Sequence, residues 1–210
     1  FTFVWVCVQG AFGAFTVSMK LFPAIVTLHL LGGLLLLGLL ASQAAAHTPP
    51  LAMTQGVRRF MYLCLVLLVV QLGLGGWVST NYAVLACTDF PQCQGSWWPA
   101  MNFAQGFELW RELGLTSAGD NLGLDALTAI HYVHRCMAYV LLVAMLGLAW
   151  AMHRTDPLRV YGRAVVVVIC LQFVTGISNA VLGWPLLAAG LHTGGAAVLV
   201  LIMSWVSTAS

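Results

Sequence analysis

Four of the six histidines, His29, His131, His134 and His192, lie inside long apolar stretches, where an imidazole needs a partner or a purpose. The other two, His47 and His153, stand beside Pro or Arg and read as solvated surface residues. Charged groups at a bilayer centre cost about 2.5 to 3.5 kcal/mol on insertion scales, so even a neutral ring there is a feature to explain. Two chemistries suit. Facing neutral imidazoles, here His134 and His192, can hold a haem iron from both sides, the macrocycle filling apolar space between helices. They can equally be hydrogen-bond partners that tie helices together. A bare metal ion fits less well, because the apolar runs offer no Asp or Glu at that level.

His131 precedes His134 by three residues, on the same face of a helix. It could contact a propionate, act as a donor behind a ligand, or be a polar residue near the interface with no special role. Arg135 could snorkel outward or pair with a carboxylate of the cofactor.

The elements that must position these rings follow from composition. The chain is 61% hydrophobic and 7% charged, against about 25% charged for a soluble domain, which makes it a membrane protein. A crossing needs roughly 20 apolar residues. Six runs qualify, about 1–19, 22–41, 60–79, 127–150, 163–182 and 186–207, so the expected fold is all-α, a polytopic transmembrane helix bundle with no soluble domain. The first run starts at Phe1 with no leader before it, which reads as an N-terminally truncated chain.

Arg58, Arg59, Arg154, Arg159 and Arg163 are five of the eight basic residues and fall on one side, which the positive-inside rule assigns to the cytoplasm. The loop 80–126 carries Asp89, Glu108, Glu112, Asp120 and Asp125 against Arg111 alone, and alternation places it outside. Cys87 and Cys93 lie on that loop, where an oxidising environment favours a disulfide over two free thiols. Cys7, Cys64, Cys136 and Cys170 read as small buried hydrophobes. The segment FAQGFELWRELG spaces Phe103, Phe107, Trp110 and Leu113 for a short interfacial helix, and Trp97 and Trp98 suit the headgroup level.

A shift of 163 residues superposes the first pair of runs on the last: Gln9 on Gln172, Gly13 on Gly176, Leu28 on Leu191, His29 on His192 and Gly32 on Gly195. Duplicated membrane units with a ligand between them are a recurrent plan, shared with transporters. Against a transporter, the runs lack interrupting Pro or Gly clusters at mid-depth. Counting about 1.5 Å per residue from Pro23, Leu127 and Pro185 puts His29, His134 and His192 roughly 9 to 11 Å below the outer boundary. Gly32, Gly33, Gly194, Gly195 and Ala138 would leave room for a flat ring, or would pack helices tightly.

The segments VVQLGLGGWVSTNYAVLACTDFPQCQG, ALTAIHYVHRCMAYV and LQFVTGISNAVLGWPLLAAGLHTGGA, with VQGAFGAFTVSMKLFPAIVTLHLLGG earlier, resemble the haem A synthase family. The resemblance implies eight helices in two related four-helix halves, of which six spans are present here. Residues 1–59 would then be a remnant of the substrate-side half, and 60–210 the half that binds haem b, with loop 80–126 outside.

It implies that His134 and His192 ligate the resident haem b iron, with His131 and Arg135 as further cofactor contacts. It also implies that His29 is one of two histidines that receive haem O, and that the fragment alone is inactive. The reaction implied is oxidation of one haem O methyl to an alcohol and then a hydrated aldehyde, which loses water to give the formyl group of haem A for terminal oxidase biogenesis. The partners implied are haem O, haem O synthase, an unidentified electron donor and the lipid bilayer of a bacterial plasma membrane, with room for a homo-oligomer and no nucleic acid. A b-type cytochrome that only transfers electrons is the alternative.

Overall fold

The computed structural model describes residues 1–210, and the chain is all-α. Seven helices follow one another: α1 (Thr2–Ser18), α2 (Pro23–Ala45), α3 (Gln55–Thr80), the single turn α4 (Phe103–Gly106), α5 (Leu124–His153), α6 (Arg159–Val181) and α7 (Leu186–Ala209). Helices are what apolar runs of this length must form, since hydrocarbon offers no partner to backbone N–H and C=O groups left outside an intrahelical ladder. Five of them, α2, α3, α5, α6 and α7, are 23 to 30 residues long and apolar enough to cross a membrane.

The expectation of six full spans is met for those five. The first run is shorter than expected: α1 has 17 residues and stops at Ser18, because Lys20 and Leu21 take left-handed φ values of 51° and 61°. Pro23 then opens α2, at the first-turn position that a residue without an N–H tolerates.

Helices α2, α3, α5, α6 and α7 pack side by side, and α1 lies on α2 alone. The bundle is unequal from end to end. One end is filled by Met61, Cys64 and Leu68 of α3, Met145, Leu148 and Met152 of α5, and Leu199 and Met203 of α7, all nearly inaccessible. At the other end, nearer the 80–126 loop, the same helices separate around a cavity.

That loop is held down by polar contacts. Trp77 donates to the Gly106 carbonyl (2.8 Å), and the 2%-exposed Arg111 donates to Asn81 Oδ1 (2.6 Å). Gln94 Nε2 donates to Thr128 Oγ1 (2.7 Å), and Tyr132 to the Trp97 carbonyl (2.6 Å). Cys87 and Cys93 form a disulfide.

Two sequence expectations are corrected here. FAQGFELWRELG is helical only over Phe103–Gly106. Its backbone turns away because Gly106 lies against the Ala126 carbonyl, where a Cβ would come within 2.7 Å, and because Arg111 is drawn inward. Of the four intramembrane cysteines only Cys64 is buried; Cys7, Cys136 and Cys170 face outward. In an apolar solvent a thiol has no reason to prefer the interior. Trp97 and Trp98 are exposed, as an interfacial belt requires.

Candidate functional site

Each of the three histidines singled out by depth lies against a glycine of the preceding membrane helix. A Cβ added at Gly13 would stand 3.3 Å from His29 Cε1, one at Gly75 3.1 Å from His134 Cε1, and one at Gly176 3.2 Å from His192 Cε1. These separations are at the limit of contact, so only glycine lets the ring lie flush against the neighbouring backbone. Four residues before each glycine stands a glutamine: Gln9, Gln71 and Gln172.

The Gln–Gly–His arrangement therefore occurs three times, in α1–α2, α3–α5 and α6–α7. The 163-residue shift reveals two copies. The third escapes it because Gln71 and His134 are 63 residues apart, separated by the long loop, where the other pairs are 20 apart. The signal that could have found it is the Q-x-x-x-G spacing itself, present at 9–13, 71–75 and 172–176.

The copies differ in what the glutamine does. Gln9 and Gln172 seat on Gly32 and Gly195, three residues past their histidines, and a Cβ at either glycine would collide with the amide nitrogen. On α5 the corresponding residue is Met137. There Gln71 turns instead to the ring, its Nε2 lying 3.1 Å from His134 Nδ1 and 3.3 Å from the His134 carbonyl. Of the glycines expected either to leave room for a flat ring or to pack helices tightly, Gly32 and Gly195 hold glutamines, while Gly33 and Gly194 have open space beside them.

The cavity at the loop end has a volume of about 330 Å³, within the roughly 300 to 1,000 Å³ of small-molecule and cofactor sites. His131, His134, Arg135 and His192 all line it, among mostly apolar side chains such as Leu68, Leu72, Ala138 and Phe173. His29 does not line it, although its neighbours on α2, Leu30 and Leu34, do. The structure thus brings His134 and His192 together and leaves His29 at a separate place between α1 and α2.

The common-depth reading also changes in detail. His29 and His192 each lie six residues past the first residue of their helices, Pro23 and Leu186, whereas His134 lies ten past Leu124. Helix α5 begins about one turn higher than the apolar run suggested.

Arg135 reaches outward and is fully engaged by the loop. Its Nη1 donates to the carbonyls of Asp89 (2.8 Å) and Gln92 (3.0 Å), its Nη2 to that of Cys87 (2.7 Å), and its Nε to His131 Nε2 (3.2 Å). The disulfide loop is thereby pinned over the cavity. Because a guanidinium only donates, Nε2 of His131 is an acceptor and its hydrogen is on Nδ1. That engagement leaves Nε2 of His131 no lone pair for a metal, and among the cavity histidines only His134 and His192 remain as candidate ligands. On the loop face, Asp89 accepts from the Gln94 (2.7 Å) and Gly95 (2.8 Å) N–H groups, which hold its carboxyl below the usual carboxylate range.

These residues fit a haem. Two imidazoles backed by glycine face one apolar cavity, and four buried polar atoms on its walls have no hydrogen-bond partner: Gln71 Oε1, His131 Nδ1, Gln172 Nε2 and Asn179 Oδ1. No three His, Cys, Asp or Glu side chains converge to hold a bare metal ion. A large apolar ligand with a few polar edges matches that lining better than an ion does.

Fold and site together define a polytopic membrane protein built from helix pairs, each carrying an imidazole against a glycine. The chain belongs to the COX15-CtaA family, described as cytochrome oxidase assembly protein, whose profile matches residues 1–204. It is 38% identical over 200 residues to a protein of Shewanella oneidensis named heme A synthase, covering 93% of this chain and 61% of that one. Heme A synthase of Halalkalibacterium halodurans is 26% identical over 90% of this chain and 59% of its own length, and that of Methylobacterium radiotolerans 30% over 88% and 51%. The chain thus spans about half to three-fifths of the length of these relatives.

Proposed function

We propose that the whole protein is a haem A synthase, oxidising one methyl group of haem O to the formyl group of haem A, and that this chain carries its electron-relay half and part of its substrate half. The observation that carries the reading is the pair His134 and His192 on one apolar cavity, each ring seated on a glycine, in a chain of this family. Haem b bound there would supply one-electron transfer, and what the protein adds is position and exclusion of water. Gly75 and Gly176 set how close the rings approach their neighbouring helices, Leu68, Leu72 and Phe173 keep the cavity apolar, and Arg135 holds the loop over it.

Residues 60–210 form the haem-b half on this reading, and residues 1–59 belong to the substrate half, with His29 as one of its two haem-O-side histidines, six of eight spans being present. On this reading the chain lies in a bacterial plasma membrane with the 80–126 loop outside, an orientation supported by Arg58, Arg59, Arg154 and Arg159 at the helix ends opposite that loop. Haem O synthase and an electron donor are the partners this chemistry requires.

The test is the pigment content of cells lacking their own haem A synthase and expressing the full-length gene. Extracted haems should include haem A. Only haem B and haem O, with the protein correctly inserted, would instead indicate a cytochrome that carries electrons and does not oxidise haem O.

A further inference from the structure

The hydroxyl of Thr175 has one proton and three polar neighbours. Its Oγ1 lies 2.8 Å from the Leu171 carbonyl, 3.2 Å from the Gln172 carbonyl and 3.0 Å from His192 Nδ1. A helical threonine returns its proton to the carbonyl four residues back, and a carbonyl can only accept. With the proton so placed, Oγ1 offers the ring nothing but lone pairs, and the hydrogen of the third contact must come from Nδ1. His192 is then the Nδ1–H tautomer, with the lone pair on Nε2. Thr175 is 5% exposed, so the contact is not open to solvent exchange of partners.

On the reading that haem b resides between His134 and His192, we propose that Thr175 is a positioning residue that fixes the tautomer and orientation of His192 and, by accepting from Nδ1–H, makes Nε2 a stronger donor to the iron. A hydrogen-bond acceptor behind a ligating imidazole raises its basicity and favours the more oxidised metal.

The other two helix pairs show that this is not a by-product of the repeat. The position three residues after the glutamine is Phe12 in α1, Leu74 in α3 and Thr175 in α6. At His134 the Nδ1 faces the Gln71 side-chain amide, and at His29 it is buried with no partner at all. A hydroxyl behind the ring is peculiar to α6–α7.

The experiment is a potentiometric titration and haem-binding measurement on the purified full-length protein carrying its haem. Thr175→Val keeps the side-chain shape and removes the acceptor. It should retain the low-spin spectrum while shifting the ferric-to-ferrous equilibrium toward ferrous about tenfold, which is about 59 mV upward for a one-electron couple. Haem affinity should fall roughly tenfold, at the low end of what loss of a partner behind a ligand costs. Thr175→Ser should restore both.

A merely structural role would leave the potential where it was. If Thr175→Val holds no haem, Thr175→Ala against Thr175→Ser gives the same answer, since the hydroxyl is all that separates them. Unchanged potential and affinity in Val and Ala, or a Ser variant that behaves like Ala, overturns the assignment of Thr175 alone. Failure of the haem reading looks different: the unmodified protein carries no haem b, or His192→Ala keeps its spectrum.

Discussion

The α1–α2 and α6–α7 pairs share a framework but not a setting. In both, a glutamine sits on a glycine three residues past the histidine, and the ring lies on a glycine four residues past the glutamine. In α6–α7 the ring lines a cavity closed by three other helices, and its Nδ1 meets a hydroxyl. In α1–α2 the ring lies outside that cavity, its Nδ1 has no partner, and α1 packs on α2 alone. The difference teaches that Gln, Gly and His set the position of an imidazole within a helix pair, while its use is decided by what neighbouring helices put in front of it and behind it.

The largest effect expected from this contrast is spectral. His134→Ala or His192→Ala should abolish the low-spin haem b absorbance of the purified protein, and His29→Ala should leave it intact. Optical spectra of the reduced proteins decide it. Loss of the signal in the His29 variant, or its survival in either of the others, would break the division between the two pairs.

A second prediction sharpens the contrast at the glycines. The Cβ of Gly176→Val would fall 3.2 Å from His192 Cε1, with two methyl groups beyond it, so the ring must shift. Overpacking of this kind costs about 1 to 3 kcal/mol, which is at least a several-fold loss of affinity if the strain falls on the ligand. Haem titration should show a loss of about tenfold or more for Gly176→Val. Gly13→Val, with a comparable 3.3 Å approach to His29, should strain α1–α2 and leave haem b binding as it was.

How much of this could be read from the chain depends on whether a feature is local. Five of the spans follow from apolar length alone, since the bilayer permits few alternatives for such runs. The pairing of Cys87 with Cys93 was legible because both fall six residues apart on the outer loop, where thiols can be oxidised. The grouping of His134 with His192, apart from His29, was implied by the family resemblance and agrees with the cavity lining, whereas depth alone suggested one plane for all three.

Other features were beyond reach. The third Gln–Gly–His copy was hidden by the length of the inserted loop, and Gln71 and Gly75 were missed with it. Arg135 was expected to snorkel outward or to meet a cofactor carboxylate, and its bonds to backbone carbonyls of a loop more than 40 residues earlier could not be foreseen, because carbonyls leave no mark on sequence. The FAQGFELWRELG segment has helical spacing, but its fate is set by Trp77, Asn81 and Ala126, none of which lies within it.

The loop itself separates the two pairs further, since it lies over the cavity through Arg135 while only Met19–Phe22 joins α1 to α2. Replacing Cys87 and Cys93 together by serine removes a seven-residue closure worth about 2 kcal/mol by chain entropy. Thermal denaturation in detergent should register a loss of that order. The carbonyls of Cys87, Asp89 and Gln92 would then hold Arg135 less firmly, so haem b should be lost earlier on heating than in the unmodified protein.

Within the same loop the smallest expected effect belongs to Asp89. Its two carboxylate oxygens accept from the Gln94 and Gly95 N–H groups, with the Gly95 bond the main cause of its lowered pKa. Since the folded pKa lies below the unfolded value of about 3.9, this stabilisation is fully present above that value and is lost as the pH falls through the lower, folded one. Asp89→Asn keeps one accepting oxygen of the two and should lower stability at neutral pH by less than about 1 kcal/mol, because the carboxylate is open to water. The gap between the two proteins should begin to close below about pH 4, where the unfolded aspartate takes up its proton, and should be gone once the pH has passed the lower, folded value. Melting curves at neutral and acidic pH measure both. A gap that persisted undiminished in acid would mean that Asp89 orders this loop through its shape and not its charge, and that the cover over the cavity does not depend on an ionised carboxylate.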